Sequence, residues 1–218
     1  MINTNLVNTI LVGSIFLDVD FSQIEYNSLK NSNLKNTAMS FSNLKGVEFP
    51  RLIDSVNFSQ TKLEEIDFSE HEIIASLFYK SEMKKVNFEN GKFSGVPKSL
   101  LFENRPQILD FSQKEILNII TPLPIVAITE IRAEGKDVIV DVIYYNNFAY
   151  SNLNGANLKN GEFYYADFRG ANLSNANLEN ADLRSAYLEE VNFEGANLKG
   201  ANLSGAYLKN ANLNCINH

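Results

Sequence analysis

Residues 171–205 read ANLSNANLENADLRSAYLEEVNFEGANLKGANLSG, seven units of five residues, each with a large apolar side chain at its centre. The run extends both ways. From Phe148 to Leu213 an apolar residue recurs at every fifth position: fourteen centres, ten Leu and four Phe, without a gap. Two residues before the centre the chain is Ala ten times in fourteen, and one before it is Asn nine times. A period of five fits neither the 3.6 of a helix nor an unbroken alternation of two. Within a unit, small-in, polar-out, large-in is strand-like alternation, and the remaining two residues (Lys-Gly, Ser-Gly, Lys-Asn) have turn chemistry. The pattern predicts a short strand and a corner, repeated.

The first half carries the same pattern in worn form, with centres at Leu6, Leu11, Phe16, Phe21 and Tyr26, then Leu29 to Phe49, then Ile53 to Phe93. The step shortens to three residues between Tyr26 and Leu29 and to four between Phe49 and Ile53, so two corners there are expected to be irregular. Arg51 and His71 stand where small residues are the rule.

If four units close one turn, residues twenty apart share a face. Asn152, Asn172, Asn192 and Asn212 then form one row, and Asn157, Asn177 and Asn197 another. Lys159, Glu179 and Lys199 alternate in sign along one column, and Arg169, Glu189 and Lys209 along the next. Opposite charges facing each other on neighbouring strands stabilise by roughly 0.2–1 kcal/mol, so twenty-residue coils are supported internally.

This pattern resembles the pentapeptide-repeat family, whose consensus is close to Ala-Asp/Asn-Leu-x-x. The resemblance implies an all-β fold, a right-handed four-sided β-helix with four repeats per coil. About eight coils at roughly 4.8 Å each would make a rod near 40 Å long if both halves share an axis.

The rhythm stops between Phe93 and Phe148, where four of the five prolines lie. Ser112-Gln113-Lys114-Glu115 fits a capping box before an apolar run, predicting a short helix that ends before Pro122. Ile125–Ile131 and Val138–Tyr144 read as two strands of a hairpin. The expected organisation is therefore a degenerate β-helix over 1–95, a helix-plus-hairpin insertion over 96–147 and a regular β-helix over 148–218. An insertion of this length either carries function or covers an open end of the helix.

Chemistry is sparse. His71 and His218 are the only histidines, Cys215 the only cysteine, and no phosphate loop, Ser-His-Asp pattern or zinc spacing occurs. No enzyme activity, cofactor or metal is expected. A net charge of −7 argues against gripping nucleic acid directly. No apolar run approaches the roughly 20 residues of a membrane span, and no secretory signal is visible, so a cytoplasmic location is the default.

Another protein is the expected partner. Tyr187 and Tyr207, twenty apart, are expected to stack outward, with Tyr144 and Tyr145 nearby as further anchors. Glu64, Glu65, Asp67, Glu70 and Glu72 form the most anionic stretch, wrapped around three faces. The class expected is a non-catalytic binding or scaffold protein, with end-to-end dimerisation through the last coil as its plausible assembly.

The family resemblance implies two alternatives: a mimic of duplex DNA that binds a topoisomerase such as gyrase and confers quinolone-type resistance, or an effector delivered into a host cell. Duplex DNA carries one charge per roughly 1.7 Å, on the order of 24 over 40 Å. Columns of alternating sign run against that continuous anionic face.

Overall fold

The computed structural model describes residues 5–23, 28–102, 126–134 and 137–214. Each unit folds as its chemistry dictates. The centre and the small residue two before it point inward: Leu153, Leu158, Phe163 and Phe168 are fully buried, and Ala156 and Ala166 nearly so. The Ala156 N–H donates to the Leu153 carbonyl oxygen at 3.0 Å and closes a four-residue corner. Gly155, third in that corner, has φ +66°. Positive φ at the third residue is what a type II turn demands, and Gly and Asn meet it most cheaply. Asn160, Asn175, Asn180, Gly195 and Gly200 take the same place in later units.

Successive coils are joined by parallel bridging. The Leu158 N–H donates to the Asn177 carbonyl at 2.7 Å, the Asn177 N–H returns to the Ala156 carbonyl at 2.9 Å, and Leu178 repeats the bond to Asn197 at 2.8 Å. Among the described residues eight coils result, opening at Leu6, Leu29, Phe49, Phe68, Phe88, Leu158, Leu178 and Leu198. The fold is the all-β, right-handed, four-sided β-helix. One face carries the short strands β1 (Leu52–Asp54), β2 (Glu72–Ile74) and β3 (Lys92–Ser94), paired in parallel with Ile53, Ile73 and Phe93 in register.

The worn half departs from a twenty-residue coil at two places. Ile10 bridges Asn33 and Ile15 bridges Ala38, an offset of 23; Ala38 bridges Asn57 and Asn43 bridges Lys62, an offset of 19. Leu29, rather than Tyr26, therefore lies beneath Leu6, and it is fully buried. Tyr26 itself lies outside the described residues. The 19-residue coil comes from the four-residue step at Phe49–Ile53, beside Pro50.

The two repeat halves form one ladder. Leu77 bridges Asn147, Glu82 bridges Asn152, Asn87 bridges Asn157 and Lys92 bridges Glu162, each seventy residues on. The aromatic core runs straight through: Phe58–Phe78, Phe78–Phe148 and Phe148–Phe168 stack with centroids 5.1, 4.8 and 4.8 Å apart. Buried Asn146 clamps the junction, donating from Nδ2 to the Ile73 and Ser94 carbonyls at 3.1 Å and accepting at Oδ1 from the Ser76 N–H at 2.9 Å.

At this corner the chain leaves through β4 (Val96–Phe102) and returns through β5 (Val126–Glu134) and β6 (Asp137–Tyr144), a three-stranded antiparallel sheet ordered β4-β6-β5. Val96 and Tyr144 are paired, so both ends of the excursion meet at the rod. The helix predicted from Ser112 lies outside the described residues.

Candidate functional site

Tyrosines collect at the corner where the excursion leaves the rod and on the face that follows. Tyr187 and Tyr207 bridge each other and stack, centroids 5.0 Å apart and 11° between planes. Tyr207 is 51% exposed, while Tyr187 is half-buried. Burial, and secondly the neighbouring Tyr207, raise the Tyr187 pKa. Tyr164 and Tyr165 follow each other at 4.2 Å, and Tyr165 lies 5.1 Å from Tyr145. The Arg184 guanidinium sits 5.4 Å from the Tyr164 ring centroid.

Tyr145 is not the exposed anchor expected. It is 7% exposed, packed at the foot of the excursion, and burial pushes its phenol up to about 12. Tyr144 ends β6, paired with Val96. On the next corner Tyr150 is 55% exposed, edge-on to Tyr79 at 5.8 Å, with Lys80 5.1 Å from the Tyr79 centroid.

Arginines in this region are held locally. Arg169 makes two bonds to Asp167 (Nε–Oδ1 and Nη2–Oδ2, both 3.0 Å), and Asp167 is fully buried. Arg184 makes the matching fork to Asp182, with Nη2–Oδ2 at 2.6 Å. Hydrogen bonding from Arg184 holds the Asp182 carboxyl below its ordinary range against the opposing effect of burial. The Arg169–Glu189–Lys209 column is thus not a chain of ion pairs: Arg169 turns to the carboxylate two residues back, and Glu189 Oε2 is buried without a hydrogen-bond partner. The other column does pair, Lys159 to Glu179 at 3.3 Å.

The Asn rows hydrogen-bond as ladders: Asn157 Nδ2 to Asn87 Oδ1 (3.0 Å), Asn177 to Asn157 (3.3 Å) and Asn197 to Asn177 (3.2 Å). Each Oδ1 also accepts the N–H two residues on, as from Glu179 to Asn177 at 3.2 Å.

The acidic stretch is dispersed and largely neutralised. Lys45 reaches Glu65 at 3.1 Å and Glu64 at 3.9 Å, and Arg51 reaches Glu70 at 3.5 Å, while Glu72 is exposed. Burial works to raise the Asp67 pKa, but hydrogen bonds from Ser69 and Asn87 outweigh it and leave the carboxyl below its ordinary range.

A cavity of about 260 Å³ opens at the irregular Phe49–Ile53 corner, among Lys30, Glu48, Arg51, Asp67 and His71. His71 is 7% exposed; its Nδ1–H donates to the Ser69 carbonyl at 2.9 Å, its ring meets Phe68 edge-on, and Nε2 has no partner. Lys30 is committed to Glu48 at 3.1 Å. Sequence reading singled out His71 and Arg51 as exceptions, and the four-residue step was the signal that a recess forms there. Among the described residues no group of three or more His, Cys, Asp and Glu could hold a metal ion, and no helix is long and apolar enough to cross a membrane.

Five-residue units, four to a coil, with Asn ladders outside and a Leu/Phe core inside, define a four-sided parallel β-helix with an aromatic corner. The profile for pentapeptide repeats matches residues 147–180 and 176–214, eight copies in all. Over that stretch the chain is built of pentapeptide repeats. No curated protein matches it in sequence.

Among solved structures it is similar to HetL, a pentapeptide repeat protein involved in heterocyst differentiation regulation in the cyanobacterium Nostoc sp. strain PCC 7120 (19% identity, 97% of this chain and 90% of that one, TM-score 0.30). It is also similar to a pentapeptide repeat protein of the Arabidopsis thaliana thylakoid lumen (35% identity, 30% of this chain and 49% of that one, TM-score 0.22). A third is QnrB1, a plasmid-mediated fluoroquinolone resistance protein (16% identity, 97% and 92%, TM-score 0.32).

Proposed function

We propose that the protein is a non-catalytic binding scaffold that presents the aromatic corner beneath the 96–144 excursion to a protein partner. The observation that carries this reading is the cluster of Tyr164, Tyr165, Tyr187 and Tyr207 with Arg184, set on a rigid ladder at the foot of the excursion. Tyr and Arg on a rigid support are the residues that most often anchor protein interfaces, because they bring large contact area at small entropic cost. The ion pairs Lys45–Glu65, Arg51–Glu70 and Lys159–Glu179 break up any continuous anionic face, so mimicry of duplex DNA is the weaker alternative.

The test is affinity capture from lysate with three baits: the full chain, a form with residues 97–143 replaced by a short turn, and Tyr164→Ala/Tyr207→Ala. The expected result is one partner held by the full chain and lost from the tyrosine variant. Capture of a topoisomerase equally by all three would overturn the reading and place function on the rod's other faces.

A further inference from the structure

The backbone ladder is interrupted between the coils that open at Phe49 and Phe68. One coil higher the pattern is complete: the Phe68 N–H donates to the Asn87 carbonyl at 2.7 Å, and the Asn87 N–H to the Ile66 carbonyl at 3.0 Å. Among the described residues the equivalent donors, the Phe49 and Asp67 N–H groups, make no backbone bond across to the neighbouring coil, and Glu48 and Asp67 do not bridge each other.

The four-residue step is the cause. A five-residue corner supplies a small inward residue before each outward one, and here Arg51 stands in that slot. Its charge keeps it out of the core. The side chain turns outward instead, with Nη1 donating to the Ser69 carbonyl at 2.8 Å and Nη2 lying 3.5 Å from Glu70. Pro50 beside it is buried and has no N–H to give. The space left between the coils is the cavity of about 260 Å³.

Its lining is sorted by charge. On the side before the two centres stand Glu48 and Asp67, outward residues of successive coils; on the side after them stand Arg51, Ser69 and His71, with Lys30 and Asn31 on the coil beneath. Like charges on neighbouring strands destabilise each other. Asp67 accepts from Ser69 and Asn87, both neutral, and among the described residues no lysine or arginine is bound to it. The pairs Lys30–Glu48 and Arg51–Glu70 are exposed, and exposed pairs contribute little, so a ligand displaces either at small cost.

We propose that this gap binds a small ω-amino carboxylate, with its ammonium against Glu48 and Asp67 and its carboxylate toward Arg51. The unbridged Phe49 N–H lies in the same gap and offers a further donor. Residues flanking a strand centre are about 6.6 Å apart, twice the rise per residue, which sets the separation of the ligand's charged ends. The site does not depend on the scaffold reading.

The experiment titrates the full chain with 4-aminobutyrate, and separately with butyrate and propylamine, each of which carries one of the two charges. Calorimetry reads affinity, and NMR follows the amides of Phe49 and Asp67. The expected result is saturable binding of 4-aminobutyrate, at least tenfold tighter than either control, with shifts at those amides. Arg51→Gln and Asp67→Asn should each weaken it at least tenfold. A further form, with one alanine inserted between Arg51 and Leu52, restores the five-residue step; it should lose binding while melting no lower than the parent, and it keeps the proposal testable if a substitution unfolds the corner.

No saturable binding to the parent, equal affinity for a singly charged control, shifts confined to other residues, or undiminished binding in all three altered forms would each overturn the proposal. Binding lost on insertion but kept in both substitutions would overturn the charge assignment and with it the ligand class. Tyr164→Ala/Tyr207→Ala should bind 4-aminobutyrate as the parent does, so either reading can fail without the other.

Discussion

Phe148 is the first core residue after the excursion, and replacing it tests whether the two repeat halves fold as one body. Its ring is fully buried and stacks between Phe78 and Phe168 at 4.8 Å on either side, with Phe93 at 5.5 Å and Phe88 at 5.9 Å. Truncating a buried Phe to Ala costs about 3–5 kcal/mol through lost transfer energy and the cavity left behind. Two near-parallel stacks lost together push the cost to the upper end of that range. In a chain of this size each kcal/mol moves the midpoint by about 2–4 °C, so Phe148→Ala should melt about 8–20 °C below the parent.

Thermal unfolding followed by circular dichroism and calorimetry reads the shift. The bonds across the junction, Phe78 N–H to Asn147 at 2.6 Å and Phe88 N–H to Asn157 at 2.6 Å, couple the halves, so the variant should keep a single transition. Two separated transitions, or a fall below about 2 °C, would refute the argument that one core crosses the junction.

Gly170 has φ +63°, and a Cβ there would lie 2.6 Å from Tyr150 Cδ1, so Gly170→Ala should destabilise by about 1–2 kcal/mol, and by less in a Tyr150→Ala background; chemical denaturation of the four variants measures both. Tyr145, with its phenol pushed up to about 12 against an unfolded value near 10, favours the fold fully below pH 10 and progressively less as pH rises from 10 to 12. Tyr145→Phe should flatten that decline in the melting temperature and remove part of the late tyrosine ionisation that the parent shows in ultraviolet titration. Asn177→Ala removes a bond to Asn157, one from Asn197 and one from the Glu179 N–H, and should cost about 1–2 kcal/mol in the same denaturation assay.

Periodicity made the columns legible, because what repeats every twenty residues must stack: the Asn ladders, the Tyr187–Tyr207 pair and the Lys159–Glu179 pair follow directly. It is silent on neighbours within a coil. Arg169 prefers Asp167 over Glu189 because the outward slot and the residue two later are already joined by a backbone bond, Arg169 N–H to Asp167 Oδ1 at 3.0 Å. Asp-x-Arg at that slot, found at 167–169 and again at 182–184, was the available signal.

Tyr145 was misplaced for a related reason. It belongs to the 96–147 interruption, which has no period to read, and its ring packs 5.1 Å from Tyr165. The coaxial stacking of the two halves was open for the same cause, and was settled by backbone bridges seventy residues apart.

The paired ends of the excursion carry an evolutionary consequence. Leu77 to Asn147 spans seventy residues where neighbouring coils span twenty, so fifty residues enter and leave without disturbing the phase of the core. Because Val96 and Tyr144 sit side by side, the rod sees only a pair of adjacent attachment points. Whatever hangs from them can be exchanged, lengthened or lost by recombination at a single corner, while selection on the ladder proceeds as though nothing had been added.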